Sequence, residues 1–160
     1  MANVDPWSPF LEKHAGALIL YARQWVDCHA DAEDVVQDGF VRYWRSSPGR
    51  EDIGLLFSCV RTAALDFARR ESRMQKREEL FARQQITVTP SVSTEQQECI
   101  ETALLTLPLE QREVLVMKIW GGLTFAEIAG ALKISPNTAA SRYRYGIEAL
   151  QGTLKPEVLR

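Results

Sequence analysis

Residues 124–150, TFAEIAGALKISPNTAASRYRYGIEAL, constrain the fold more tightly than any other part of the chain. Thr124 and Glu127 are spaced as a capping box, in which side chain and backbone satisfy each other's donors at a helix start. Phe125, Ile128, Ala129 and Leu132 follow at i, i+3, i+4 and i+7, the apolar stripe of a short amphipathic helix. After a brief turn Ser135 is placed to cap a second helix, with Pro136 at its first position, where a missing N–H costs nothing. Ala139, Tyr143, Gly146, Ile147 and Leu150 share one face of that helix at about 100° per residue. The opposite face carries Asn137, Ser141, Arg144 and Tyr145, flanked by Thr138, Ala140 and Arg142. Two short helices joined this way form a helix-turn-helix, and small or hydrogen-bonding groups on the second suit a major groove. The alternative is an ordinary helical hairpin with a polar outer face.

Composition narrows the rest. At 160 residues the chain can hold one ordinary domain or two small ones, and 46% hydrophobic content is that of a globular protein. Seven prolines and nine glycines fall mostly outside the periodic segments, which points to an all-α fold. No run of 18 apolar residues is present, and MANVDPWSPF lacks a basic region followed by an apolar run. The expectation is therefore no membrane insertion and a cytoplasmic location. Cys28, Cys59 and Cys99 are far apart and odd in number, and read as reduced thiols. Cys28 stands beside His29, but adjacent side chains diverge on a helix and no second pair completes a tetrahedral metal site. No Ser or Cys neighbourhood resembles an activated nucleophile. The chain is expected to be no enzyme and to need neither metal nor cofactor.

The net charge of −2 hides a local split. Asp27, Asp31, Glu33, Asp34 and Asp38 fall within residues 27–38, without a Lys or Arg among them. Arg61, Arg69, Arg70, Arg73, Lys76 and Arg77 fall within residues 61–77, against Asp66 and Glu71. Segregated charge of this kind argues for different partners on different surfaces.

Periodicity then divides the chain. Phe10, Leu11, His14, Leu18, Tyr21, Ala22 and Trp25 mark a first helix. Asp31 can cap a second, to about Arg45, with Val35, Val36, Gly39, Phe40, Tyr43 and Trp44 inward. A third carries Leu56, Val60, Ala63, Ala64 and Phe67 and turns strongly basic through Arg77. QQITVTPSVSTEQQE reads as a linker, and its ITVTPSV, though strand-like, has no second strand to pair with. Periodicity resumes at Ile100, runs through Leu104, Leu105 and Leu107, and after Pro108 gives a helix across residues 110–120 ahead of Gly121-Gly122. The expected organisation is a helical domain over 1–78, a linker over 79–99 and a helix-turn-helix domain over 100–160.

In order and content these segments resemble a known family, the bacterial RNA polymerase sigma factors of the extracytoplasmic-function, or group four, type. DAEDVVQDGFVRYWR resembles region two, and LPLEQREVLVMKIWGGLTFAEIAGALKISPNTAASR resembles region four. The resemblance implies an alternative sigma factor that binds core polymerase and directs promoter-specific initiation. Asp34, Gln37, Asp38, Val41 and Arg45 would then dock on the clamp helices of the largest subunit. An exposed carboxylate ridge suits an Arg-bearing partner through charge-assisted hydrogen bonds. Arg61, Thr62, Asp66, Arg69, Arg70, Arg73, Lys76 and Arg77 would engage the minus-ten element, the bases neutralising phosphates. Holding melted bases also calls for an aromatic platform; Phe57 is the nearest candidate, with a place in the core as the alternative. Asn137, Thr138, Ala140, Ser141, Arg142 and Arg144 would contact the minus-thirty-five element. Further implied partners are the flap of the second-largest subunit and a dedicated anti-sigma factor.

The chain also departs from the family. Leu55 replaces a common Trp, Thr62 a common Asn, Lys133 the usual turn Gly, and Ala140 and Tyr145 often-basic positions of the recognition helix. A linker of about 20 residues spans at most ~66 Å, roughly 19 base pairs at 3.4 Å each. Domains tied this way reach elements more than one helical turn apart. Two other readings compete: a stand-alone helix-turn-helix regulator, and a degenerate sigma-like protein that binds another regulator.

Overall fold

A computed structural model describes residues 8–78 and 95–153, with the side chains of Ser8, residues 75–78 and Gln97 outside the description. The described residues are all-α, with no strand: α1 Ser8–Ala22, α2 His29–Ser46, α3 Ile53–Glu78, α4 Glu95–Leu105, α5 Leu109–Ile119, α6 Phe125–Leu132 and α7 Pro136–Thr153. Helices α1–α3 form one bundle and α4–α7 the other. Residues 95–99, polar enough to read as linker, are the first turns of α4. The strand-like ITVTPSV lies outside the described residues.

The turn chemistry of the second bundle follows its sequence. The Thr124 hydroxyl accepts from the Glu127 N–H at 3.1 Å, and the Glu127 carboxylate accepts from the Thr124 N–H at 3.2 Å, closing the capping box. Lys133 ends α6 in the left-handed region at φ 56°, the conformation that a glycine would adopt more readily. The Ser135 hydroxyl accepts from the Thr138 N–H at 3.1 Å and caps α7. The start of α2 differs from expectation. Helix α2 begins at His29, its N-cap is Cys28, and the Cys28 Sγ accepts from the Asp31 N–H at 3.4 Å. Asp31 sits in the first turn, where its charge still favours the helix N-terminus.

The inward faces form the core. Leu18, Tyr21, Ala22, Val35, Tyr43, Leu56, Phe57, Val60 and Ala64 are buried in the first bundle, and Leu104, Val114, Leu115, Met117, Leu123, Ile128 and Ala139 in the second. Trp44, expected inside, is 40% exposed, because α2 turns its Gly39 and Tyr43 face to α3. Phe57 is fully buried against Tyr21, ring centroids 5.2 Å apart, and so serves the core and not as a platform for bases. The two bundles share this core: a Cβ built on Gly121 would come 3.0 Å from the Phe57 ring.

Helices α2 and α3 cross so closely at Gly39 that a Cβ there would meet the Val60 Cα at 2.7 Å. Gly39→Ala is therefore expected to lose about 1–3 kcal/mol in chemical denaturation, since the neighbour is backbone and cannot yield. Gly16, mid-helix on α1 with nothing within 4 Å of its Cβ position, supplies the control. Gly16→Ala should gain about 0.5–1 kcal/mol from helix propensity alone.

Candidate nucleic-acid interface

Helix α7 is oriented by what it buries. Ala139, Gly146 and Leu150 face inward, and Gly146 lets α7 approach α5 so closely that a Cβ would fall 2.8 Å from the Leu115 Cδ1. The opposite face is left outward: Asn137 and Arg144 are exposed, and Thr138, Ala140, Ser141 and Arg142 are half-buried beside them. All six sequence-expected residues lie on one continuous surface of the helix. The Arg144 guanidinium lies over the ring of exposed Tyr145, 5.2 Å from its centroid, a cation–π contact that orients the exposed long donor of this surface. Tyr145, in an often-basic position, thus acts on this face through its contact with Arg144.

The basic helix α3 presents a second surface. Arg69, Arg70 and Arg73 are exposed and line an open depression with Asp66. Thr62 is exposed, but its hydroxyl donates back to the Ser58 carbonyl at 3.0 Å. Asp66 accepts from Arg42 of α2 at 2.8 Å, and this hydrogen bond holds its carboxyl below the usual carboxylate range. Lys76 and Arg77 lie in the last turn of α3, their side chains outside the description. Arg61 departs from the row: its Nε donates to Glu113 of α5 at 2.7 Å.

On α2, Asp34, Gln37, Val41 and Arg45 all face outward, Val41 being 44% exposed. Asp38 is half-buried and paired with Arg42 at 3.0 Å, so the acidic ridge is partly neutralised from its own helix. Beside Gln37 and Val41, an open apolar groove between α1 and α2 is floored by Leu11, Ile19, Val36 and Phe40.

Glu113 is the residue that sequence reasoning missed. It is 3% exposed, the one buried charged residue among those described. Tyr21 donates its hydroxyl to the same Glu113 Oε1 at 2.9 Å that Arg61 reaches from α3. Burial and the neighbouring carboxylate push the Tyr21 hydroxyl well above its ordinary pKa. Burial works against the charge of Arg61, and Glu113 more than offsets it, so the guanidinium is held in its charged form. A second seam runs alongside: Arg23 pairs with Glu101 at 2.9 Å, and Arg112 donates to Gln24 at 3.5 Å. The signal in the sequence was an acid on the buried stripe of α5, where Leu109, Val116 and Met117 call for an apolar residue.

Comparison with known proteins decides what these surfaces belong to. Residues 10–74 match the family model of Sigma-70 region 2, and residues 97–150 that of Sigma-70, region 4. The ECF RNA polymerase sigma factor SigL of Mycobacterium tuberculosis is 30% identical over 156 residues, covering 90% of this chain and 86% of SigL. The chain belongs to the sigma-70 family, in its extracytoplasmic-function branch. The RNA polymerase sigma factor CarQ of Myxococcus xanthus is likewise 30% identical over 166 residues, covering 98% of this chain and 95% of CarQ. Two solved structures share the fold. The sigma factor RpoE, in complex with the anti-sigma factor NepR from Bartonella quintana, superposes with TM-score 0.69 at 23% identity over 98% of both chains. CnrH, in complex with the cytosolic domain of CnrY, gives 0.64 at 23% over 92% of this chain and 86% of CnrH. As an alternative sigma factor, this chain directs transcription initiation, which implies RNA polymerase and promoter DNA as partners. Among the described residues no helix is long and apolar enough to cross a membrane.

The geometry of α7 sets Arg144 apart from Arg142: the first is exposed and the second half-buried. Exposed Arg144 has the donors for a bidentate base contact worth about 1–3 kcal/mol, whereas Arg142 lies on the flank. Arg144→Ala is expected to change which upstream element is preferred in a binding-site selection. Arg142→Ala should weaken all elements about equally and lower the salt slope by about one unit.

Proposed function

We propose that this sigma factor meets its partners through three helices. The outward face of α2, with Asp34, Gln37, Asp38, Val41 and Arg45, docks on the clamp helices of the largest polymerase subunit. The basic face of α3, with Arg69, Arg70, Arg73, Lys76 and Arg77, together with Arg61 when it is free of Glu113, holds the minus-ten element. Asp66, tied to Arg42 and Arg69, sets the helix face and does not read bases. Helix α7, with Asn137, Thr138, Ala140, Ser141, Arg142 and Arg144, reads the minus-thirty-five element, and its domain rests on the flap of the second-largest subunit. The functional division is 1–78, a linker over 79–99 whose last residues, 95–99, enter α4, and 100–160.

One observation carries the polymerase-docking part. Asp34, Gln37, Val41 and Arg45 follow one another along the outward stripe of α2 while Val35, Val36, Gly39 and Tyr43 fill the core behind it. An acidic stripe with a valine within it suits a partner helix that offers arginine and an apolar contact. The structural neighbour RpoE is bound to the anti-sigma factor NepR, which supports a dedicated anti-sigma factor for this chain too. The place of action is the cytoplasm, where core polymerase is.

Charge reversal tests the docking face. Asp34→Arg combined with Asp38→Arg should weaken binding to core polymerase by at least about tenfold, a loss of roughly 1.4 kcal/mol, with helical content unchanged by circular dichroism. Unchanged affinity in a core titration would remove α2 from the interface.

A further inference from the structure

The Glu113 bridge joins residues that a promoter complex must separate. Tyr21 and Arg61 belong to the first domain, Glu113 to the second, and all three meet at one carboxylate oxygen, at 2.9 and 2.7 Å. Around that point the domains share apolar contact, with Phe57 against Gly121, and Gly54 of α3 faces Glu127 of α6. A compact chain of this length has a radius of gyration of about 15 Å. The minus-ten and minus-thirty-five elements lie about 25 base pairs apart, roughly 85 Å along B-form DNA. The packed form cannot hold both.

The bridge also occupies a DNA-facing group. Arg61 is the first base of the α3 row, and its Nε is donated to Glu113. A guanidinium fixed on a buried carboxylate is withdrawn from phosphates, so Glu113 and a promoter phosphate are rival acceptors for one side chain. The pairing is suited to switching. A buried carboxylate paired with a half-buried guanidinium contributes little net stability, yet losing the guanidinium leaves a charge unpaired in the core, which is costly. An apolar residue at position 113 would hold the domains together with no competitor for its contact. The second seam is looser: the Arg23 Nη1, Trp25 Nε1 and Arg112 Nε are buried there without a protein acceptor among the described residues.

We infer that the free chain is held closed by a latch centred on Glu113, which keeps it from promoters until Arg61 and Tyr21 are released. The latch rests on the proposed DNA-facing role of α3 only for the competition at Arg61; the spacing argument stands without it. Closure within one chain makes the inactive form a property of the sigma factor itself, before any second protein binds.

A staple tests it in the full-length chain. A Cβ on Gly54 would lie 3.8 Å from the Glu127 Cβ, inside the range of about 3.5–4.5 Å for disulfides. The paired substitutions Gly54→Cys and Glu127→Cys, with Cys28, Cys59 and Cys99 replaced by Ser, should form this bond on oxidation. Run-off transcription with core polymerase should fall by at least about tenfold when the staple is closed and return on reduction. Stapled protein that initiates as well as its reduced form would overturn the latch. Glu113→Gln supplies a second test that needs no staple. The free variant should bind a promoter fragment about three- to tenfold more tightly than wild type, with the same helical content. Equal or weaker binding would overturn the latch as well. Arg70→Ala, exposed on α3 and outside the bridge, tells the two ideas apart. It should weaken promoter binding in both the wild-type and the Glu113→Gln background, and no effect in either would count against the DNA-facing role of α3 instead.

Discussion

Glu113 stands on the buried stripe of α5, flanked by Val114, Leu115, Val116 and Met117, and the relation between the two domains turns on how its charge is met. Taking a carboxylate out of water costs several kcal/mol unless hydrogen bonds and an opposite charge replace the solvent. Its side-chain donors among the described residues both come from the other domain: Tyr21, 92 residues away, and Arg61, 52 residues away. The domain that carries the helix-turn-helix is therefore completed electrostatically by the domain that carries the acidic ridge of α2. Opening the chain returns the carboxylate to water and frees Arg61 at the same moment.

The remaining surfaces keep their form whether or not the domains touch. The recognition face of α7 is set by burial of Ala139, Gly146 and Leu150 within its own domain, and the ridge of α2 by burial of Val35, Val36 and Gly39 within the other. Arg42 links the ridge to the basic helix through Asp38 at 3.0 Å and Asp66 at 2.8 Å. These pairs are partly exposed, and solvent screening leaves each with little net stability. Their effect is to fix side-chain direction, while the close crossing at Gly39 and Val60 fixes the helices.

Local chemistry was the legible part of the sequence. Thr124 and Glu127, and Ser135 with Pro136, all do what their types and spacing imply, because caps are settled within a few residues, whereas the left-handed backbone at Lys133 follows from the turn and not from the lysine. The apolar stripes of α1, α3 and α7 were likewise legible from their period. Cys28 was not, since a thiol is an uncommon N-cap and Asp31 offered a commoner one three residues on. Trp44 was not legible either, because its angular position borders the buried stripe without entering it. The bridge was beyond periodicity altogether. Arg61 looks like one more base in a basic row, and only the packing of α1 and α3 on α5 shows that its partner is an acid of the other domain. Linker length set how far apart the domains can go and was silent on whether they touch.

The direct test of closure is the distance between domains in solution. Spin labels on the exposed residues Glu71 of α3 and Glu148 of α7 report it by pulsed dipolar spectroscopy, in a chain with its three native cysteines replaced. A Glu113 latch requires one narrow, short distribution for the free protein. With core polymerase and promoter DNA the distance must lengthen by tens of ångströms, on the order of the spacing between two promoter elements at 3.4 Å per base pair. A free protein whose distribution is already broad and long, and is unmoved by Glu113→Gln, would contradict the latch.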